Sequence, residues 1–523
     1  MGKRILFFMI LPVLVFALAG VSYGWQGRMG GMGDPYGLIP DESDFLIHPA
    51  KIAKGEGIRF YGDYRFLYTG VLEWDTEVDI FTPAGVLGAV FNREGEGEEQ
   101  RHELLLGSSF PLGPGRMGLF FTYQGMRGDS TGKQPEWYPP AIPTFYDRYE
   151  LISDLDNFAF RLLYGLPVGG FKLGGEVQIA HREEENKALY DEDFGGGSRV
   201  LWTNYFSAGI GDYHNTYFFM LPYDSAYWEA LFKGSLEGKV GPLDLEFTLR
   251  AGFLFGGDNT YAYENSLNGT TQEAFDAKGD VTGWRIGGDL WLRYPLAQDL
   301  SLPFLVRVDY QEKTRDGDGP GQLGLAGVNY SYESQEQSLG ITAGGGLDKE
   351  LAKGARIAGG IYYSYLQGNN AIQITENHSV PLVYWNNYDY DFPASSEHQV
   401  MLRLAGEVAL SPVVTMRMGL TPFFGWVRQD FKFSQLTSAL TGYTDDVSTD
   451  GYHWGIGASL GGTIKIPPIT LEPFINAGYQ QLNLEGDGDR VSTPSGVLLD
   501  LYEMSKDRNE WSIGGGLSVL FDL

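Results

Sequence analysis

Few groups in this sequence could do chemistry, and their spacing decides what they are for. Gly457-Ala458-Ser459-Leu460-Gly461 has the G-x-S-x-G pattern of a nucleophile elbow. That elbow needs a strand–turn–helix corner to lift the serine out of its sheet. Here the flanking residues alternate apolar and small as one unbroken strand, so Ser459 reads as a packing residue. The seven histidines, His48, His102, His181, His214, His378, His398 and His453, show no ligand spacing such as H-E-x-x-H. Asp316-Gly317-Asp318-Gly319 and Glu485-Gly486-Asp487-Gly488-Asp489 put carboxylates on a flexible backbone, as calcium sites do, but the full EF-hand spacing is missing. They read as solvated acidic loop, with divalent bridging to lipopolysaccharide phosphates as the other reading. No nucleophile, base and orienting group come together. The expectation is a protein that is not an enzyme and carries no metal or cofactor.

More numerous are charges at every second position of long alternating segments. Tyr452, Trp454, Ile456, Ala458 and Leu460 share one face, opposite His453, Gly455, Gly457, Ser459 and Gly461. Leu243, Leu245, Phe247, Leu249 and Phe253 alternate with Asp244, Glu246, Thr248, Arg250 and Gly252. Such segments run to ~10 residues or more, enough for a tilted strand to cross a bilayer. A charge facing hydrocarbon costs ~2–4 kcal/mol at the midplane, so the charged rows must face a lumen. The expected pore-lining residues are Arg59, Arg65, Arg161, Lys172, Glu176, Lys233, Glu237, Arg250, Arg285, Asp289, Arg293, Arg307, Asp309, Arg403, Glu407 and Arg417. Cations lead on this wall although the whole chain carries a formal charge of -29, so the excess acid falls in loops such as Glu94–Glu99 and Asp445–Asp450. One reading has these wall charges pairing across strands. The other has them setting a mildly anion-favouring field in a water-filled path.

The elements that position these rows begin with export. Lys3 and Arg4 precede an apolar run from Ile5 to Ala19 and a small-residue stretch, so residues 1–24 read as a signal peptide. No later stretch approaches the ~20 apolar residues of a membrane helix. Gly 73 and 14% aromatic residues suit strands, turns and interfaces, and Cys 0 excludes a disulfide scaffold. Short connectors fall at Gly113–Gly115, Pro167–Gly170, Gly241–Pro242, Ala297–Ser301, Ala352–Gly354, Ser411–Pro412 and Pro467–Pro468. Between them lie acidic, Gly/Asp-rich stretches at roughly 75–98, 128–153, 183–223, 258–279, 315–331, 369–395, 431–449 and 486–508, read as long outer loops. Seven short turns alternating with eight long loops predict an all-β fold over 57–523: a transmembrane antiparallel up-and-down β-barrel of about sixteen strands.

Leu517, Val519, Phe521 and Leu523 end the chain as an apolar alternate row. This row resembles the C-terminal signal that outer-membrane barrels present to their assembly machinery, with Leu523 where a terminal aromatic is usual. Residues 25–56 do not alternate. Their simpler reading is a periplasmic tail that guides the first strand; the other is a small plug folded into the lumen. Within them His48-Pro49-Ala50 resembles the Asn-Pro-Ala motif at the N-terminal hatch of the FadL-type outer-membrane transporter family, with His48 in place of the Asn. That resemblance covers only these residues, and sixteen strands exceed that family's number. It implies a hatch-gated transporter of hydrophobic compounds. The pattern of the whole chain is similar to porin-like barrels as a class. It favours a Gram-negative outer-membrane porin or channel for passive passage of small polar or charged solutes. A structural or surface-interaction barrel is the third reading. Expected partners are outer-membrane lipid and lipopolysaccharide, the barrel-assembly machinery and small solutes, with a homotrimer by analogy to porins. The acidic balance and the lack of basic stripes argue against nucleic acid. The aromatic-rich loops, with Trp202, Tyr213 and Phe218 in one and Tyr384, Trp385 and Tyr390 in the other, are expected to fold inward rather than expose apolar area.

Overall fold

In hydrocarbon an alternating strand must pair on both sides, and only a closed sheet leaves no edge. The computed structural model describes Met32, Leu38, Ile39 and residues 42–523, apart from 82, 84–86, 138–144, 194–198, 204–222, 268–269, 324–325, 353, 379–386, 439–440 and 494. The expected signal segment 1–24 lies outside the described residues, as do 204–222 and 379–386 and the aromatic side chains of 202–219 and 384–392.

The strands are β1 (Arg59–Phe81), β2 (Leu87–Leu112), β3 (Gly115–Trp137), β4 (Phe145–Val168), β5 (Phe171–Asp193) and β6 (Arg199–Thr203). They continue as β7 (Tyr223–Val240), β8 (Leu243–Leu267), β9 (Thr270–Gly279), β10 (Val281–Ala297), β11 (Leu300–Leu323) and β12 (Ala326–Ala352). The last six are β13 (Ala355–His378), β14 (Asn387–Ala409), β15 (Val414–Ser438), β16 (Thr441–Ile466), β17 (Ile469–Thr493) and β18 (Leu498–Asp522). Short β6 pairs with both β5 and β8 beyond the end of β7, and β9 pairs with β8 and β11 beyond the end of β10. Each continues a column that another strand occupies, so the wall has sixteen columns. β1 pairs antiparallel with β18 from Arg59↔Asp522 to Phe81↔Leu501 and closes the barrel. This is a closed sixteen-strand antiparallel barrel.

Alternation sets the two faces. Phe160, Phe253, Ile286, Ile361, Met418 and Ile475 are exposed on the outer face. Above them runs an aromatic belt. Tyr123, Phe158, His181 and Trp228 stand opposite one another on β3, β4, β5 and β7, and His398, Trp426 and Tyr452 do so on β14, β15 and β16. Amphipathic rings gather at the membrane interface, and the belt marks it.

The short connectors lie where the sequence puts them. Gly113, Gly169 and Gly241 take φ of 59°, 59° and 61°, the left-handed conformation a tight hairpin needs and a side chain resists. The long loops differ from expectation. The stretches 258–279, 315–331, 431–449 and 486–508 are mostly strand, and β16 pairs with β17 from Ile466↔Ile469 out to Gly442↔Thr493. One face of these extensions keeps acidic side chains such as Asp446, Asp450 and Glu485 exposed while the other buries Val447, Thr449 and Leu484, so the backbone ladder continues.

Residues 42–54 lie inside the barrel as two 3-10 turns, Glu42–Leu46 and Pro49–Lys54. Phe45, Leu46 and Ile52 are buried with Tyr61, Leu105, Phe120 and Leu163 of the wall. Met32, Leu38 and Ile39 are buried with Trp291, Leu305, Ala358 and Tyr362 on the other side. For the described residues the tail reading thus gives way to an interior placement, where Met32, Leu38, Ile39, Phe45, Leu46 and Ile52 are buried against the wall.

Candidate functional site

The lumen site is where this segment meets the wall. Glycines make the approach: Gly118, Gly165 and Gly174 sit on β3, β4 and β5 beneath the second turn. A Cβ added at Gly174 would fall 2.1 Å from Ala50 N, and one at Gly118 would fall 2.5 Å from Ile52 Cδ1. The wall then satisfies the polar groups that a short turn leaves open. Leu46 O accepts from Arg161 Nη2 at 2.7 Å and from Lys233 Nζ at 2.8 Å. Leu38 O accepts from Arg293 Nη2 at 2.7 Å, and Ala50 N donates to Ser235 Oγ at 2.7 Å.

The centre of the site is ionic. Lys51 Nζ lies 2.6 Å from Asp44 and 2.8 Å from Glu246, with all three side chains under one-tenth exposed. It also stands 4.5 Å over the Trp291 ring, a cation–π contact. Burial pulls the Lys51 ammonium down, but the Asp44 and Glu246 carboxylates outweigh it and hold its pKa above the ordinary value. His48 hydrogen-bonds Thr248 through Nδ1. Burial, and then the neighbouring Lys51 charge, lower the His48 pKa to about 3, so this imidazole is neutral in place.

The expected pore-lining residues all fall on the inward rows, and the described geometry gives most of them a partner. Arg161 and Lys233 flank Glu176 at 2.8 and 3.2 Å. Lys172 lies 3.4 Å from Glu237, which also takes Lys54. Asp289 is held between Arg250 and Arg307, and Arg250 reaches Asp309 at 2.7 Å. Arg285 pairs with Glu229 at 2.5 Å, and Arg293 with Asp348. Arg417 bridges Glu407 at 3.2 Å and Glu472 at 3.3 Å. Arg59 pairs with Asp522 at 2.9 Å, while Arg65 and Arg403 stand over the Phe474 and Tyr362 rings. Of the plug candidates, His48, Pro49 and Ala50 are all buried. The terminal row Leu517, Val519, Phe521 and Leu523 faces outward, since Leu520 packs against the inner cluster. Ser459 is buried in mid-strand on β16, where no corner lifts it.

Sequence reasoning did not assign Asp44, Lys51, Ser235, Thr248 or Trp291 to the site. Their partners are far apart in the chain and share no motif. The readable sign was glycine at inward positions of three successive strands, Gly118, Gly165 and Gly174.

No family model and no curated protein matches the chain. Among solved structures it is similar to a Pseudomonas aeruginosa FadL homologue, at 11% identity over 96% of this chain and 98% of that one, with a TM-score of 0.37. The Pseudomonas putida toluene transporter TodX matches at 12% identity over 96% and 99%, TM-score 0.34. The Ralstonia pickettii toluene transporter TbuX matches at 11% over 94% and 98%, also 0.34.

The expectation of a porin or channel for passive passage of small polar or charged solutes is corrected here. The wall charges it relied on are spent on one another and on the segment that crosses the lumen.

Proposed function

We propose that this outer-membrane barrel is a gated transporter of small hydrophobic compounds, closed at rest by its N-terminal segment. In this reading residues 1–24 are the export signal, 25–56 the plug and 57–523 the barrel. The observation that carries it is the fastening of 42–54: Lys51 between Asp44 and Glu246, and Leu46 O gripped by Arg161 and Lys233. A passive tail has no use for four buried charges and the half-buried Lys233. Removing one partner of such a buried set costs ~3–5 kcal/mol, so the closed state is the resting one and opening needs a cause. Hydrophobic cargo fits a lumen whose ionic groups are already paired, and fits the cargo named for TodX and TbuX. The outward row Leu517 to Leu523 serves as the segment offered to the assembly machinery. One chain closes its own lumen, so no partner copy is needed to complete it.

The test uses the absence of native cysteine. Ala50→Cys with Ser235→Cys tethers the plug to β7 where Ala50 N now meets Ser235 Oγ. In porin-deficient cells, toluene uptake is expected to stop on oxidation and return on reduction. Uptake indifferent to the tether, or faster entry of a sugar than of toluene, would refute the reading.

A further inference from the structure

Beyond the plug, towards the outer mouth, the lumen holds a cavity of about 620 Å³ between β1–β4 and β15–β18. Met126 on its wall lies six residues past Phe120, roughly 20 Å along the strand from the plug at ~3.4 Å per residue. The space is of the size of small-molecule sites, which span ~300–1,000 Å³. Its chemistry differs from that of the plug site. Leu67, Met126 and Phe423 supply apolar surface, and Thr69, Gln480 and Ser512 supply neutral hydrogen-bonding groups.

Every inward charge on this lining is already matched. Glu99 pairs with Arg101 at 3.1 Å, and Glu510 takes both Arg508 and Gln480. Glu98 and Asp129 belong to the outward rows, and Glu98 accepts from the Tyr68 hydroxyl at 2.8 Å. Glycine shapes the floor. An added Cβ at Gly455 would come 2.5 Å from Phe423 Cζ, so the missing side chain makes room for that ring. At Gly457 an added Cβ would meet only Thr421 O at 3.9 Å, so this position opens on free space.

We infer that this cavity is a binding site for an uncharged small molecule that joins an apolar ring or chain to one hydroxyl or carbonyl group. An ion would find the inward charges of the lining engaged with one another, and the apolar surface offers it nothing in return. A pure hydrocarbon would leave the Thr69 and Ser512 hydroxyls of the lining facing apolar surface, which is also unfavourable. A single neutral polar group resolves both. The site's role in passage rests on the transporter reading; its existence does not.

The experiment is equilibrium binding to the full-length mature barrel in detergent, by calorimetry at neutral pH. The probes are 4-ethylphenol, 4-ethylbenzoate, 4-ethylbenzylamine and ethylbenzene, which share one shape and differ in charge and hydrogen bonding. The phenol is expected to bind roughly tenfold more tightly than the other three, the size of one good hydrogen bond or one avoided desolvation. Gly457→Leu is expected to abolish that binding, and Phe423→Ala to weaken it severalfold. Gel mobility before and after heating reports that each variant has folded, and Phe423→Ala stands in if Gly457→Leu does not fold. Equal or tighter binding of the benzoate or the amine overturns the inference, as does phenol binding unchanged in a folded variant. Binding at this site without uptake into cells would count against the transporter reading and leave the site standing. Uptake untouched by Gly457→Leu, where that variant has lost binding, would overturn the site's role in passage and leave the transporter reading standing.

Discussion

Two stretches of the same wall treat charge in opposite ways. From β4 round to β13, long cations reach across strands to carboxylates and to backbone carbonyls of the N-terminal segment. Around the outer cavity between β15 and β3, the inward charges Glu99, Arg101, Arg508 and Glu510 pair among themselves and are interrupted by glycine. One alternating pattern thus builds two surfaces. Where the wall must hold something, it spends arginine and lysine on fixed partners. Where it leaves room, it uses glycine and neutral side chains.

The strongest way to break this contrast is to cut the fastening at its centre. Lys51→Met leaves Asp44 and Glu246 buried without their shared cation, a loss of about 3–5 kcal/mol in plug seating. The expected outcome is a folded barrel that conducts in planar bilayers where the parent is silent. Acid should act the same way, with a sign that His48 fixes. Unseated, this imidazole takes a proton near its ordinary 6.5; seated, it holds out to about 3. Acid therefore favours the unseated state. Seating is insensitive above about 6.5 and weakens as pH falls towards 3, by up to about tenfold per pH unit. Open probability measured across that range checks it, and His48→Gln should remove this part of the dependence.

Gly174→Val sharpens the contrast by steric means alone. Its Cβ would strike Ala50 N at 2.1 Å, and such overpacking costs about 1–3 kcal/mol. Protease access to residues 42–54 should rise while the barrel's heat-modified gel shift is kept. The smallest effect is expected from a charge pair that holds nothing. Arg428→Ala removes an exposed contact to Asp430 at 3.1 Å and should move thermal stability by no more than about 0.5 kcal/mol.

Much of this was legible in the sequence, for definite reasons. Period-two alternation names the inward residues, so Arg161, Lys233, Arg250 and Asp289 could be placed on the lumen face without coordinates. Gly113, Gly169 and Gly241 mark turns because the backbone there needs a positive φ. Composition misled where it stood in for geometry. Glu94–Glu99 and Asp445–Asp450 read as loop, yet their backbones pair in long hairpins beyond the membrane. The same rows also suggested a charged pore. The alternation says which way Arg161 and Lys233 point, but not that Leu46 O will be waiting for them. Nor could Lys51 and Glu246 be matched in advance, because that contact is made only when a segment outside the repeat folds into the space the repeat encloses.

The central claim is that the N-terminal segment, held by the wall, closes the lumen. Single-channel recording of the mature protein beside a chain lacking residues 25–56 tests it most directly. The account predicts silence from the parent and steady ohmic steps from the shortened barrel. Equal conductance from the two would contradict it.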